Sequence, residues 1–469
     1  MQKKQIGIGL LGKGSTNHLH RSEVVRAFQQ KGFQVTYIVR EDYYNLLTRL
    51  TGCRYTSCRI REENGWRSIP IRFCQNVRFA YPSSDAGHRR FLLKRIMNNL
   101  RPWVLIRDFI CLAAARFRVF VMFATWLEKK LFLPDLVEGL DPCDYDILIF
   151  LGIGTVDSEL EGALTYWAEN YDIPKIHIVG NYDHLTSKGF RGIMPKRLLV
   201  WGPQMREDAI SFHGIPAKRI SIIGSIRYNS LNRADLPERS VFLSRLGLDP
   251  ARKTILFAGF VFVSQYFEML KVYRRLLENN IDCQLILRLY PNKTLMNSVY
   301  IEALTCFAKA LPHTYISYAD PHFKKGDRNK EVLQVEEDEL RAVLCHCDVL
   351  IDYYSTITLE GGIFDKPCLH MHYIPKTPGA FARAAVSVNF WELRHNQRIM
   401  SYGGVEVANS RDELIDLIQK NLFDPGRHAK ARKRMVQQEC GPMDGLACER
   451  LIKNCESLLV THSCSQISQ

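Results

Sequence analysis

Several familiar signatures are missing from this 469-residue sequence. No stretch of about 20 residues is both apolar and free of charge, as a membrane-spanning helix requires. No segment repeats and no tract is of low complexity, which excludes solenoids and fibrous chains. The 14 cysteines show no framework of bridges. Cys345 and Cys347 flank His346, but no second pair lies at finger-like spacing, which argues for buried free thiols over zinc. No RRM, helix-turn-helix or finger pattern accompanies the basic charge, so nucleic acid is not an expected partner. Acidic residues are also in the minority, 49 against 63 Lys plus Arg, a net +14. That excess points to some anionic partner without saying which.

What is present is ordinary globular material, 46% apolar and 24% charged, with length for two or three domains. The opening MQKKQIGIGLLGKG starts like a secretory leader, but its apolar run stops after seven residues at Gly12 and Lys13. That is too short for a leader's apolar region, so it reads as a buried first strand. With reduced thiols, this gives a cytoplasmic expectation.

Short runs rich in Ile, Val and Leu then alternate with helical patterns. Expected strands are Ile6–Leu11, Phe33–Val39, Asp146–Leu151, Lys175–Val179, Arg197–Trp201 and Ile220–Ile223. After a polar linker, Asn229–Arg252, a second series follows: Thr254–Ala258, Cys283–Leu289, His313–Ser317, Asp348–Ile351 and Pro367–Met371. Continuous apolar strands suit parallel sheets covered on both faces. Two such series predict an α/β chain of two Rossmann-like doubly wound domains facing across a cleft. The expected boundaries are 1–232, 250–425 and a set of C-terminal helices over 426–469.

One stretch breaks the pattern. Residues 89–130 hold ten Lys or Arg against Asp108 and Glu128, a net +8, interleaved with Trp103, Phe109, Phe117, Phe120, Phe123, Trp126 and many aliphatics. Arg107, Asp108, Arg116 and Arg118 interrupt any spanning window. Basic plus aromatic on a helix is the pattern of an interfacial helix on an anionic bilayer. A basic helical insertion over 86–135 within the first domain, in peripheral contact with the membrane, is the expectation; a helix packed on its own domain with a charged face is the alternative.

Candidate site residues follow from strand ends, where doubly wound sheets gather ligands. The first strand runs into Gly12-Lys13-Gly14-Ser15-Thr16-Asn17. This matches neither GxxxxGK[ST] nor GxGxxG, so ATP and dinucleotides gain little support, but a glycine turn still lets a ligand approach the backbone. Gly12, Lys13, Gly14 and Asn17 are assigned to the acceptor side. Asp144-Tyr145-Asp146 has the form of a metal-chelating Asp-x-Asp but precedes its strand, and reads as a solvated corner. After that strand come Asp157 and Glu159, and after the next Asp183, His184 and Lys188. Carboxylates there can deprotonate an acceptor hydroxyl, so Asp157, Glu159 and Asp183 are the candidate general bases. His184 and Lys188 join the acceptor side. Helix starts also favour acids through the dipole alone.

From Asn181 through Val200-Trp201-Gly202, His213-Gly214-Ile215-Pro216 and Gly224-Ser225-Ile226-Arg227, the order of motifs resembles bacterial surface-carbohydrate transferases of the two-Rossmann (GT-B) class. Capsule sugar transferases and CDP-glycerol glycerophosphotransferase-like proteins are the relatives meant. Arg288-Leu289-Tyr290-Pro291 is similar to that family's Arg-x-His-Pro turn, with Tyr290 in place of His. A tyrosine donates one hydrogen bond but carries no charge at pH 7. Asp352-Tyr353-Tyr354-Ser355-Thr356-Ile357-Thr358-Leu359-Glu360-Gly361-Gly362 resembles its donor motif. The resemblance implies that Arg288, Tyr290, Gly259, Ser355, Thr356 and Glu360 bind a nucleotide-sugar donor. Ser355 and Thr356 would open a helix whose free N–H groups hold the diphosphate, and Glu360 would hold the ribose. It implies a metal-independent glycosyltransferase without a cofactor, making polysaccharide or capsule at the inner membrane face. The acceptor would be a growing glycan or lipid-linked. Rival readings are a CDP-polyol phosphotransferase of the same fold, a nucleotide-sugar 2-epimerase, and a non-enzymatic membrane or nucleic-acid binder.

Overall fold

The computed structural model describes residues 4–11, 19–45, 49–60, parts of 70–77, 102–131, 137–151, 159–187, 195–229, 231, 236–260, 262–290, 298–318, 332–373 and 390–467. The chain divides into two compact units. The first is Met1–Ser230 with Leu393–His395 and Gln438–Gln469; the second is Leu231–Glu392 with Asn396–Gln437.

The first unit is built on an eight-stranded sheet: β1 (Lys4–Leu10), β2 (Phe33–Arg40), β3 (Arg54–Ile60), β4 (Val137–Glu138), β5 (Ile147–Phe150), β6 (Lys175–Ile178), β7 (Leu198–Val200) and β8 (Ile220–Ile222). Their order is β4-β3-β2-β1-β5-β6-β7-β8, and only β4 runs antiparallel, against β3. The direction of winding reverses between β1 and β5. Helices α1 (Ser22–Gln30), α2 (Pro102–Ala115), α3 (Arg118–Leu131), α4 (Glu159–Asn170), α5 (His184–Ser187) and α6 (Pro203–His213) belong to this unit. Two strands of this unit, β3 and the two-residue β4, escaped the sequence pattern. Arg54–Ile60 reads RYTSCRI, and only Cys58 is fully buried, so its apolar signal is weak at this outer position.

The second unit carries a fully parallel six-stranded sheet: β9 (Lys253–Ala258), β10 (Cys283–Leu289), β11 (Thr314–Tyr318), β12 (Val349–Asp352), β13 (Cys368–Met371) and β14 (Val405–Ala408). The order is β11-β10-β9-β12-β13-β14. The helices are α7 (Arg239–Arg245), α8 (Val263–Glu278), α9 (Ser298–Lys309), α10 (Val332–His346), α11 (Ile357–Ile363), α12 (Arg394–Ser401), α13 (Arg411–Phe423) and α14 (Ala429–Glu439). Strands β9 and β10 are buried nearly end to end, as a sheet covered on both faces requires. The segment Asn229–Arg252, expected as a linker with one short helix, contains α7. Phe242 and Leu243 of α7 are fully buried, and the Arg239 guanidinium bonds the carbonyls of Pro250 and Arg252 and pairs with Asp348 at 3.1 Å.

The C-terminal helices do not form a third segment. All but the last two residues of α14 lie in the second unit, where Arg432 is buried against Asp365 at 2.9 Å. The last helix, α15 (Ala447–Ile467), returns to the first unit. Its Cys448, Leu451, Ile452, Cys455 and Leu459 recur at helical spacing and enter the core of β1, β2 and α1. That apolar stripe needs a partner face, and the first sheet supplies it.

Candidate functional site

The second sheet changes winding direction between β9 and β12. Successive strands step one way from β9 through β10 to β11, and the other way from β12 through β13 to β14. At such a point the loops leave toward opposite faces and open a crevice at the strands' carboxyl ends. Ala258 pairs with Asp352 across the two strands, so Gly259 and Tyr353 leave the sheet side by side. A Cβ on Gly259 would fall 2.7 Å from the Phe257 ring and 2.8 Å from that of Tyr266, so only glycine fits.

Asp352 shapes the next turn. Its carboxyl accepts from Thr358 Oγ1 at 2.5 Å and from the backbone N–H groups of Tyr354 and Ser355. Its Oδ1 lies 3.1 Å from His370 Nε2, and both side chains are about 1% exposed. Burial pushes the Asp352 carboxyl up to about 8, against the opposing pull of its hydrogen bonds. Burial likewise pushes His370 down to about 3, so the pair sits in the core with its charge suppressed. Tyr354, held in this turn, adopts φ +51, a backbone state rare for a bulky side chain. Its hydroxyl bonds His372 Nδ1, and its ring lies 4.4 Å from the His370 ring.

Helix α11 follows directly. Ser355 and Thr356 precede it, and their carbonyls accept from the N–H groups of Thr358 and Leu359. Thr356 is the N-cap, but its hydroxyl makes no capping bond. Glu360 stands in the first turn and is buried. Gly361 and Gly362 let α11 press onto its neighbours. Added Cβ atoms would meet Leu350 Cδ2 at 2.6 Å and Met435 Cε at 2.8 Å.

Aromatic rings line the same edge of the sheet. Phe260 contacts Tyr290 at 5.3 Å and Phe390 at 5.2 Å, while Tyr353 lies 5.8 Å from Phe262 and 6.0 Å from Phe390. His372 lies 4.4 Å from Trp391. Tyr290 is 40% exposed at the end of β10. Its backbone N–H donates to the Tyr266 hydroxyl, 3.0 Å away. The structure thus gathers Gly259, Tyr290, Ser355, Thr356 and Glu360 at one edge of one sheet.

Arg288 sits differently. It is buried on β10, with Nη1 donating to Ser317 Oγ at 2.9 Å; that hydroxyl donates to Glu339 Oε1 at 2.6 Å. This arm of the guanidinium ties β10 to β11 and α10, a structural bond where the motif suggested a diphosphate contact.

In the first unit the turn after β6 holds Asp183. Its Oδ2 accepts from Ser187 Oγ at 2.9 Å, and its carbonyl accepts from the N–H groups of Thr186 and Ser187. Asp183 therefore opens α5, and His184 beside it is buried. Thr186 Oγ1 bonds His395 Nδ1 at 2.8 Å. Glu159 begins α4. Gly12, Lys13, Gly14, Asn17, Asp157 and Lys188 lie outside the described residues. The Asp-x-Asp corner is structural at Asp146, whose Oδ2 accepts the Gln5 N–H at 2.6 Å. The Cys345-His346-Cys347 segment is structural too, because His346 Nε2 bonds the Pro237 carbonyl. Among the described residues, no three His, Cys, Asp or Glu come together as a metal site would need.

Sequence reading gave no role to Asp352, His370 or His372, nor to any ring of the aromatic wall except Tyr290. An Asp closing a buried strand just before a Ser/Thr-rich turn was the signal available for Asp352. The histidines lie on β13 and gave no motif signal.

No protein-family model matches the chain, and no curated protein matches it in sequence. Solved structures do match in shape. An assigned UDP-N-acetylglucosamine 2-epimerase of Listeria monocytogenes aligns over 97% of this chain and 96% of its own, with TM-score 0.54 and 12% identity. S. aureus MnaA, solved with UDP, aligns over 97% of each chain with TM-score 0.52 and 11% identity. The UDP-GlcNAc 2-epimerase of Methanocaldococcus jannaschii aligns over 97% and 99%, with TM-score 0.51 and 10% identity. At such identities the likeness establishes the fold: two Rossmann-like α/β domains of the GT-B type.

Proposed function

We propose that the chain is a nucleotide-sugar enzyme, and specifically a glycosyltransferase that moves a sugar onto a glycan or lipid-linked acceptor. The observation that carries this reading is the winding reversal of the second sheet. Gly259, Tyr290, Ser355, Thr356 and Glu360 meet there on a chain whose full length follows the GT-B fold. A neighbour of this fold was solved with UDP, which supports a nucleoside diphosphate as the ligand class.

In this reading the strained turn at Tyr354 and the glycine at 259 bring backbone close to the diphosphate. The rings of Phe260 and Tyr290 offer flat apolar surface to the base, with buried Tyr353 packed behind them. Glu360 serves the ribose, and Asp157, Glu159 or Asp183 removes the acceptor proton. The leaving diphosphate is stabilised by backbone dipoles in a water-poor crevice, with neither metal nor cofactor. The chain works in the cytoplasm at the inner membrane face. Support for that compartment is that none of the thirteen described cysteines is in a disulfide.

The second reading is a 2-epimerase, favoured by the neighbours just given. The two are separated by incubating the full chain with UDP-GlcNAc and, in parallel, with a panel of UDP-, CDP- and GDP-linked donors. A 2-epimer formed without any acceptor identifies the epimerase. Acceptor-dependent release of the nucleoside diphosphate identifies the transferase, and a product retaining the donor's phosphorus identifies polyol phosphate transfer. If no nucleotide raises the melting temperature, and Glu360→Ala changes nothing, the donor assignment falls.

A further inference from the structure

Helices α2 and α3 are inside out. In the described residues they turn Cys111, Ala115, Ala124 and Glu128 inward, onto a small cluster with Cys74 and Val77. Outward they present Trp103, Ile106, Phe109, Ile110, Phe117, Val119, Phe120, Met122, Phe123 and Trp126, each at least 49% exposed. These ten are over half of the 19 large exposed apolar residues found among the described residues. Isolated exposed apolar residues are normal on a protein surface, but a continuous field of them marks an interaction face.

Charge selects the occupant. The two helices carry only two acids: Asp108 pairs with Arg107 at 2.6 Å, and Glu128 is fully buried. Arg116, Arg118, Lys129 and Lys130 all remain exposed. The face is therefore aromatic and aliphatic with cations only, which suits anionic headgroups over acyl chains. A second copy of the same face would meet cations with cations. Spanning does not fit either. Each helix has 14 residues, about 21 Å of rise at 1.5 Å per residue. The pair also bends by 113° at Arg116–Phe117. A hydrocarbon core is about 30 Å thick.

We propose that α2 and α3 lie in the interface of an anionic membrane, with Trp103, Phe109, Phe123 and Trp126 among the acyl chains and Arg116, Arg118, Lys129 and Lys130 at the phosphates. The site is independent of the nucleotide reading, because it lies in the other unit and its test needs no substrate.

The experiment is sedimentation of the full chain with phosphatidylglycerol vesicles and, separately, with phosphatidylcholine vesicles. The wild type binds the anionic vesicles, with a blue shift in tryptophan emission. A variant carrying Phe109→Ser, Phe120→Ser, Phe123→Ser and Trp126→Ser loses about tenfold or more in vesicle affinity, since each removes buried apolar area. A second variant, with Arg116→Gln, Arg118→Gln, Lys129→Gln and Lys130→Gln, loses the preference for phosphatidylglycerol. These positions are exposed, so circular dichroism and the unfolding midpoint stay as in the wild type. Wild-type chain that stays in the supernatant, or a serine variant that sediments unchanged, overturns the proposal. So does a dimer in solution that the serine variant dissociates while neither protein binds vesicles.

Discussion

Helix α8 and the pair α2–α3 follow opposite rules with similar residues. α8 buries Tyr266, Met269, Leu270, Val272, Tyr273 and Leu276 and leaves Lys271, Arg274 and Arg275 exposed. The pair exposes its large rings and buries alanines, a cysteine and a glutamate. Both sets are amphipathic helices of ordinary length. What differs is the partner. α8 lies on a parallel sheet that must be covered, whereas among the described residues α2 and α3 have only a small cluster behind them. Apolar periodicity therefore shows that a helix has two faces, without showing which face meets protein.

The contrast can be broken from either side. The largest expected effect is in the core: Leu276→Ala lowers stability by about 3 kcal/mol through lost burial and a residual cavity, read from denaturant midpoints. Next, Gly361→Ala forces a Cβ to within 2.6 Å of Leu350 Cδ2 and 2.9 Å of Cys368 Sγ, and lowers stability by about 2 kcal/mol through overpacking. At the other extreme, Phe123→Ala changes stability by no more than about 0.5 kcal/mol, because that ring has no protein core to leave. A loss as large as that of Leu276→Ala would show the helix pair to be a buried element and would end the comparison.

Titration adds two smaller, opposing pH dependences that do not divide by unit, since buried His370 in the second unit shifts in the same direction as the histidines of the first. Asp352 has a folded pKa near 8, above its unfolded value of 3.8. The native state then binds the extra proton, so this group makes stability fall as pH rises from about 4 to 8. His20, His177 and His213 in the first unit have folded values of about 4, 3 and 4, below 6.5, because burial disfavours their charge. There the unfolded state binds the extra protons, and stability falls as pH drops below 6.5. Asp352→Asn should flatten the neutral-pH slope and leave the acid loss in place. An unchanged slope above pH 5 would show that Asp352 does not titrate in that window.

Most strands were legible because fully buried parallel strands are short continuous apolar runs. Cys283–Leu289 is the clearest, with every residue buried. β3 and β14 were not, since half-exposed strands at or next to a sheet edge carry polar residues that blur the signal. In the candidate site, the turn from Asp352 to Glu360 was readable from its position after a strand. Its partners on β13 were not, because no local pattern links Asp352 to His370, 18 residues away.

By itself the sequence determined the fold class, the positions of most strands and the concentration of cations and aromatics between β3 and β4. These follow from burial and periodicity, which act locally along the chain. Only the tertiary structure decided that the last helix completes the first unit's core, that Arg288 bonds Ser317, and that the rings of α2 and α3 face outward. Each of those depends on which surface a distant segment finds to cover, and chain distance carries no record of that.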